Sequence, residues 1–421
     1  MPNFLDLFAG AGGLSEGFIQ AGYTPVAHVE MDKAACNTLR TRASYHWLKA
    51  GNRLDLYDQY MRGNITRDAF YRQIPEAVLN TILNYEISDE TLDEIFDNVD
   101  ALLNGMDLDL IIGGPPCQAY SVVGRARSDS GMVGDHRNYL YRLYARFLQR
   151  YRPRFFVFEN VTGLLSAKDE DGSFHFDNMR ALFRESGYST EYQVLNASNY
   201  GVLQNRKRII LIGKLGNDED FYPEITRVNT NGITVSEIFV DLPAIHAGGG
   251  QFAPVETEDY TGSYLYLSRI KSYEHESVTY HIARPHTAQD LSIYRLVVEA
   301  WNQNHARVSY PNLPEELRTH NNLTSFLDRF KVVAGDLPWS QTVVAHISRD
   351  GHYYIHPDIN QNRSLTPREA ARLQTFPDDY YFEARKAIPS RTAAFRQIGN
   401  AVPVRLAYSV ANALIGEFEE N

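Results

Sequence analysis

Residues 4–21 read FLDLFAGAGGLSEGFIQA, and this stretch decides the fold. Its first five residues form a short apolar run typical of a buried strand. Glycines at positions 10, 12 and 13 then mark a turn, and apolar or small residues recur at helical spacing from Leu14 to Ala21. Strand, glycine turn and helix in that order indicate the start of a nucleotide-binding α/β unit. Ser15 stands where the dinucleotide fingerprint requires its third glycine, which disfavours a nicotinamide-dependent oxidoreductase.

A second strand is predicted at residues 24–29, and it ends in Glu30-Met31-Asp32. A carboxylate at a strand end, about twenty residues after the glycines, is suited to binding the hydroxyls of a ribose. The alternative for Glu30 is a charge that stabilises the N-terminus of the next helix.

A cysteine follows directly after another short apolar run that is typical of a buried strand. Residues 109–121 read DLIIGGPPCQAYS, so two glycines and two prolines stop the strand directly before Cys117. In open α/β sheets, ligands bind at this carboxyl edge. Cys117 is therefore either a nucleophile or a small packing residue. A second apolar run, residues 155–158, ends in Glu159, and two reactive groups on one edge favour a site over a structural carboxylate.

The composition is that of a globular protein. The chain has 421 residues, of which 43% are hydrophobic and 22% charged, so two domains are expected. The N-terminal residues show no pattern of a secretory signal peptide. A membrane span needs about 18 apolar residues, and no stretch approaches that length, so we expect no membrane association. The two cysteines, Cys36 and Cys117, form no disulfide framework; Cys36 is expected only to pack, and the cytoplasm is the expected compartment.

The net charge of −11 argues at first against a nucleic-acid partner, but the charge is unevenly spread. Residues 51–109 contain thirteen Asp or Glu and four Arg, whereas residues 122–154 contain eight Arg and two acidic residues. Arginines 142, 146 and 150 fit a solvated helix face. Arg125 and Arg127 lie in a glycine-rich loop, where phosphate contacts explain them better.

The α/β pattern fades between about residues 214 and 336, and nine of the thirteen histidines lie between His246 and His356. We expect a second, irregular domain here, without a metal site because the histidines lack cysteines and tight His-Glu spacing. The pattern returns at residues 363–374, where Thr366, Pro367 and Glu369 predict a capped helix start.

In order along the chain, these blocks resemble the bacterial cytosine-5 DNA methyltransferases of restriction-modification systems. The matching blocks are residues 6–18, 30–32, 113–121, 158–161, 204–208, 363–377 and 397–404. The resemblance implies a Rossmann-like, doubly wound α/β methyltransferase domain and a smaller, irregular target-recognition domain. We expect the catalytic and cofactor-binding domain at 1–214, with an acidic insertion at 41–98, the recognition domain at 215–335, and a return segment at 336–421 that completes the catalytic domain.

The resemblance also implies the chemistry. Cys117 would add to carbon 6 of cytosine, so that carbon 5 can attack the methyl group of S-adenosylmethionine and leave S-adenosylhomocysteine. Glu159 would hold a proton toward ring nitrogen 3, and Arg206 and Arg208 would orient the base and its phosphate. No side chain clearly removes the carbon 5 proton, so water is expected to do so.

The cofactor is expected along the glycine loop, with Glu30 on the ribose, Met31 on the adenine, and the block around Asn400 closing the site from the far end of the chain. The short acidic-apolar turn that the family has near the adenine is assigned to Asp97-Asn98-Val99. The full set of expected cofactor-binding residues is Phe8, Ala9, Gly10, Gly12, Gly13, Leu14, Glu30, Met31, Asn98, Pro115, Asn400, Ala401 and Val402.

The expected partner is double-stranded DNA, from which the target base must flip out at a cost of roughly a few kcal/mol. Residues 119–138 would close over the flipped base. The resemblance allows a cognate restriction endonuclease that acts separately, and the protein is expected to act as a monomer. RNA methylation and a catalytically silent DNA-binding regulator are the alternatives. The expected DNA-binding residues are Gln118, Ser121, Arg125, Arg127 and Gln204.

Overall fold

A computed structural model describes residues 1–116, 140–169, 171–272, 277–318 and 327–419. Its centre is a seven-stranded sheet with the strand order β3-β2-β1-β4-β5-β7-β6. The strands are β1 (Asn3–Leu7), β2 (Thr24–Val29), β3 (Ile82–Leu83), β4 (Leu110–Gly113), β5 (Phe155–Asn160), β6 (Tyr188–Asn196) and β7 (Lys207–Leu215). A separate hairpin pairs β8 (Val255–Glu256) with β9 (Ser277–Val278).

The sheet is parallel except for β7, which runs antiparallel to both β5 and β6. The strand order reverses between β1 and β4, which leaves a crevice at their carboxyl ends. This mostly parallel sheet confirms the predicted Rossmann-like fold class.

Thirteen α-helices are described: α1 (Gly13–Gln20), α2 (Lys33–Ala50), α3 (Leu54–Met61), α4 (Arg67–Tyr71), α5 (Glu76–Leu79), α6 (Leu92–Leu103), α7 (Leu140–Tyr151), α8 (His175–Glu185), α9 (Tyr264–Leu267), α10 (Ala288–Asn304), α11 (Pro367–Leu373), α12 (Arg391–Asn400) and α13 (Val404–Glu419). In the described part of the chain, no helix combines the length and apolar character needed to cross a membrane.

Alternate residues of the strands face the two sides of the sheet, because successive side chains of a strand point in opposite directions. On β5, Phe156 and Phe158 pack with α6, α7 and α8. Phe155 and Val157 pack instead with α1 and α13 on the other side. The buried runs read from the sequence are thus strands covered by helices on both faces.

The first and last helices of the sheet domain are in close contact. A Cβ atom at Gly17 of α1 would lie 2.4 Å from Cβ of Ala407 on α13, so only glycine allows this approach. Residues from opposite ends of the chain therefore form one layer.

The predicted acidic insertion at 41–98 is wrong in its bounds. β3 pairs with β2, and α6 packs against the sheet through Ile95 and Phe96, so both belong to the central domain. The inserted part is the group of short helices α3, α4 and α5. The two-residue strand β3 is too short to give an apolar pattern, and the exposed acidic face of α6 made this region look uniformly polar.

The region predicted as a recognition domain is irregular, but its core is shared. Val235, Ile238 and Tyr280 pack in one cluster with residues of the return segment such as Leu365 and Phe395. A second, smaller cluster forms around α10. Residues 235–272 and 277–280 are therefore held against the return segment by apolar contacts.

A buried charge cluster strengthens this junction. Its members are two carboxylates and two cations, all at most 7% exposed: Asp241, Asp378, Lys271 and Arg372. Arg372 donates to Asp241 at 2.6 Å and to Asp378 at 2.7 Å, and Lys271 donates to Asp241 at 2.8 Å. Since each charge has an opposite partner, the cost of burying it is offset.

Candidate active site

The carboxyl edge of β4 is shaped by two glycines. A Cβ atom at Gly113 would lie 2.3 Å from the carbonyl oxygen of Leu7 on β1, and one at Gly114 would lie 2.6 Å from Oε2 of Glu159. The backbone after β4 therefore passes directly over the Glu159 carboxylate. Asn160 fixes the next residue, because its Nδ2 donates to the carbonyl of Pro115 at 3.3 Å.

Glu159 forms an ion pair with Arg208. Nε of Arg208 lies 2.7 Å from Oε1 of Glu159, and the two side chains are 12% and 13% exposed. The antiparallel pairing of β5 with β7 brings the end of one strand beside the start of the other. The structure thus joins two residues that the sequence placed 49 positions apart in separate blocks.

Cys117 and the predicted DNA contacts Gln118, Ser121, Arg125 and Arg127 lie outside the described residues. The last described residue before them is Pro116, two positions beyond the glycine that covers Glu159.

The structure contradicts the prediction that Arg206 orients the base. Arg206 is 1% exposed, and its guanidinium donates to the carbonyl oxygens of Val343, Gly399 and Ala401. Its fixed guanidinium fork therefore holds the loop before β7 against the return segment through backbone carbonyl acceptors.

Gln204 is likewise not placed for the predicted contact with DNA. It is fully buried, its Nε2 donates to the carbonyl of Leu373 and to Oε1 of Gln374, and its Oε1 accepts from the backbone N–H of Val343. Its amide is used within the protein, so Gln204 is a structural residue.

The glycine loop bends sharply between β1 and α1. Phe8, Gly10 and Gly12 have positive φ angles of 59°, 55° and 80°. The backbone N–H of Gly10 donates to Oε2 of Glu30 at 2.8 Å, and Oε1 of Glu30 accepts from the N–H of Asp32 at 2.7 Å. Burial raises the pKa of Glu30, and these N–H donors act in the opposite direction. Glu30 therefore lies at the loop, as the strand-end position predicts.

The far end of the chain meets this loop. A Cβ atom at Gly13 would lie 2.4 Å from the carbonyl oxygen of Val402 and 3.0 Å from Cβ of Ala401. Asn400 is exposed at the end of α12. The structure thus brings together the glycine loop and the closing block, as the resemblance implies.

The assignment of Asn98 to a turn after the third strand is wrong. Asn98 lies inside α6, and its Nδ2 donates to the carbonyl of Glu94 one turn earlier. The third strand ends at Leu83, and the residue that follows it at the sheet edge is Asn84.

Asn84 is a candidate that the sequence reasoning missed. Its Nδ2 donates to the carbonyl oxygens of Glu30 and Met31, each at 3.0 Å. Asn84 thereby fixes the backbone at Met31, whose side chain is 58% exposed at the same edge. In the local sequence, the strand before Asn84 is indicated only by the apolar pair Ile82-Leu83. A pair of apolar residues is too short to distinguish a strand from a helix.

The strand order with its single antiparallel strand is that of the α/β methyltransferase fold. A solved structure described as a DNA modification methyltransferase encoded within an E. coli prophage superposes with a TM-score of 0.63 over 100% of both chains, at 23% identity. A methyltransferase of Entamoeba histolytica superposes with a TM-score of 0.56 at 11% identity. These likenesses concern the fold.

The model of the C-5 cytosine-specific DNA methylase family matches residues 2–59 and 74–416. Type II methyltransferase M.Bpa9945I of Bacillus paralicheniformis is 39% identical, with 97% of this chain and 98% of that protein covered. Type II methyltransferase M.DdeI of Desulfomicrobium norvegicum is 29% identical, with 99% and 89% covered. The chain therefore belongs to the C-5 cytosine-specific DNA methylases and is a DNA cytosine-5 methyltransferase, which confirms the resemblance drawn from the sequence blocks.

Proposed function

We propose that this enzyme methylates carbon 5 of a cytosine flipped out of a specific DNA sequence, through a covalent intermediate on Cys117. The observation that carries this proposal is the Glu159–Arg208 ion pair beneath Gly114, three residues before Cys117. A nucleophile three residues after Gly114 would act on a ring that the Glu159 carboxylate can also serve.

Each residue then has a separate task. Cys117 Sγ forms a bond to carbon 6, and the electrons of the 5,6 double bond move toward carbon 5. Glu159 holds a proton at ring nitrogen 3 and so limits the negative charge that builds up in the ring. Arg208 holds Glu159 in place through Nε. The planar guanidinium fixes the directions of its other N–H groups. Carbon 5 would then take the methyl group that bound S-adenosylmethionine supplies, leaving S-adenosylhomocysteine. Removal of the carbon 5 proton and elimination of Sγ from carbon 6 would restore the 5,6 double bond and release the thiolate.

The glycine loop fits S-adenosylmethionine. A Cβ atom at Gly10 would have no atom within 4 Å, so the backbone there is open to a ligand, while Gly12 and Gly13 are packed from behind. Helix α1 begins at the N-cap Gly12 without a side-chain cap, which leaves its first turn suited to an anionic group. When bound, the cofactor supplies an electrophilic methyl group on a sulfonium. Glu30 would accept from its ribose, Asn84 would shape the edge at Met31, and Asn400 to Val402 would close the site.

Replacement of Glu30 by alanine is expected to weaken S-adenosylmethionine binding by about 1.5–3 kcal/mol, the range for hydrogen bonds to a charged group. The dissociation constant should rise about ten- to a hundredfold, because both the ribose acceptor and the anchor of Gly10 are lost. Calorimetry measures this, with Glu76→Ala on the exposed surface of α5 as the control. If the folded Glu30→Ala protein binds S-adenosylmethionine with unchanged affinity, Glu30 does not bind the cofactor and has only a structural role.

The substrate is double-stranded DNA, and the loop at 119–138 is proposed to close over the flipped base. Arg125 and Arg127 remain predicted phosphate contacts, whose loss should weaken binding to all sequences similarly. The name Type II methyltransferase borne by the relatives supports a restriction-modification role with a separate cognate endonuclease, acting on DNA in the bacterial cytoplasm.

Bisulfite sequencing of plasmid DNA tests the function. DNA from a host without cytosine methylation that expresses this chain should show protected cytosines at one recurring sequence. The same host expressing Cys117→Ser should show none. Protection scattered without a common sequence, or methylation of RNA alone, would contradict the proposal.

Removal of the Arg208 side chain is expected to lower kcat by about ten- to a hundredfold, because Glu159 keeps its carboxyl group but loses its fixed position. Single-turnover methylation at saturating DNA and cofactor measures this in Arg208→Ala. The exposed neighbour Lys207 gives the control, and Lys207→Ala should leave kcat within a factor of about two of the wild type. Equal losses in both variants would show a general effect of positive charge.

A further inference from the structure

Helices α3, α4 and α5 form a small insertion between α2 and β3. The family model does not match residues 60–73, which include all of α4. Residues 60–73 therefore have no role assigned by membership of the family, whereas Tyr57 on α3 and all of α5 lie in the matched parts. The contacts of the insertion show where it acts.

The insertion forms hydrogen bonds with residues 379–384, which belong to the return segment. The hydroxyl of Tyr57 on α3 donates to the carbonyl oxygen of Asp379 at 2.7 Å. The guanidinium of Arg67 on α4 donates to the carbonyl of Ala384 at 2.9 Å and lies 3.2 Å from Oε2 of Glu383. Tyr57 is 2% exposed, so its hydrogen bond is made away from water.

The next residue of that segment supports the glycine loop. The hydroxyl of Tyr380 donates to the carbonyl of Ala11 at 2.5 Å, and it would lie 2.9 Å from a Cβ atom at Gly12. Tyr380 therefore fills the space behind the loop and fixes one of its carbonyl groups. A shift of the 379–380 backbone would move this support directly.

A buried arginine connects the same segment to α1. Arg42 donates to Asp379 at 2.7 Å and binds Glu16 of α1 through two of its nitrogens, at 2.6 and 2.9 Å. Its guanidinium carbon lies 4.8 Å from the centre of the Tyr380 ring. The helix that follows the glycine loop is thus tied to the same short segment.

A second connection runs through Glu383. Its Oε1 accepts from Tyr60 of α3 at 2.5 Å, and its backbone carbonyl accepts from Nε2 of Gln397 on α12 at 2.8 Å. Helix α12 ends at Asn400, next to the residues that pack on Gly13. Both connections therefore lead from the insertion to the cofactor loop.

We propose that the insertion is a positioning element for the cofactor-binding loop, with Tyr57 as its principal positioning residue. This rests on the proposed binding of S-adenosylmethionine at that loop. The insertion sets the position of Tyr380 and so the geometry of residues 10–13.

The test compares two buried tyrosines that each donate to one carbonyl. Tyr57→Phe removes the bond to Asp379, and Tyr188→Phe removes the 2.8 Å bond to the carbonyl of Pro153. Tyr188 is 1% exposed and lies on β6, four strands away from β1. Both variants keep the ring and lose one hydrogen bond, so their melting temperatures should fall by similar amounts.

Tyr57→Phe should raise the dissociation constant of S-adenosylmethionine by about three- to tenfold, the effect of losing one hydrogen bond's contribution, and Tyr188→Phe should not. In kinetics, Tyr57→Phe should raise the KM for the cofactor while kcat and the KM for DNA stay unchanged. Equal dissociation constants in the two variants, within twofold, would overturn the proposal and leave the insertion a stabilising element only.

A second measurement needs no cofactor. Hydrogen–deuterium exchange of the peptide covering residues 8–16 should be faster in Tyr57→Phe than in the wild type, and unchanged in Tyr188→Phe. Unchanged exchange in Tyr57→Phe would overturn the positioning role. If the wild type bound no S-adenosylmethionine while exchange still responded to Tyr57→Phe, the proposed cofactor would be wrong and the positioning of the loop would stand.

Discussion

Cys117→Ser is expected to abolish methyl transfer, with kcat reduced by at least about a thousandfold. A serine hydroxyl is far less nucleophilic than a thiolate at neutral pH, and loss of a covalent nucleophile commonly costs this much or more. The binding of S-adenosylmethionine should hardly change, because the proposed cofactor contacts lie on the glycine loop and the closing block. Transfer of a labelled methyl group to DNA and calorimetry measure the two properties separately.

A duplex that contains 5-fluorocytosine gives the matching positive test. Fluorine cannot leave as a proton does, so the wild-type protein should remain bound to the DNA through Cys117 in the presence of cofactor. Denaturing electrophoresis shows this adduct as a slower band. An adduct that persists in Cys117→Ser would assign the bond to another residue, and a lack of adduct in the wild type would contradict the covalent mechanism.

The largest effect on stability is expected at the buried charge cluster. Asp241→Ala should lower the free energy of unfolding by about 3–5 kcal/mol, because Arg372 and Lys271 lose a shared partner where water cannot replace it. Burial alone would raise the pKa of Asp241, but Arg372 and Lys271 outweigh it and hold the pKa below its usual value. Its contribution is therefore present at neutral pH and is lost as the pH falls through that lowered pKa.

Urea-induced unfolding measures the effect, with an exposed ion pair as the control. Asp58 and Arg62 pair at 2.8 Å on the surface of α3, where both side chains are 47% exposed. Asp58→Ala should leave the unfolding midpoint unchanged, since solvent screens such a pair. A loss below about 1 kcal/mol in Asp241→Ala would mean that the junction relaxes or admits water.

The features that were predicted correctly from the sequence are residues at the end of a strand. A strand that ends in glycines or a carboxylate presents those residues at the sheet edge whatever else the chain does. For this reason the glycine loop, Glu30 and Glu159 lie where their patterns indicate. The pairing of Glu159 with Arg208 was not predicted, because β5 and β7 are not consecutive in the chain and become neighbours only in the folded sheet.

The features that failed depend on what surrounds a side chain. Arg206 and Arg208 are two positions apart in one basic block, yet Arg206 faces the return segment and Arg208 faces Glu159. Nothing in the local sequence separates them, because the acceptors of Arg206 come from residues about 140 to 195 positions later. The bounds of the insertion failed for a different reason, since a two-residue strand carries no periodicity.

The contact of Gly13 with Val402 has a consequence for synthesis. The ribosome synthesises the glycine loop long before Val402, so a nascent chain lacks a complete cofactor pocket until residue 402 has been made. Products that terminate before residue 402 should consequently be inactive rather than partly active.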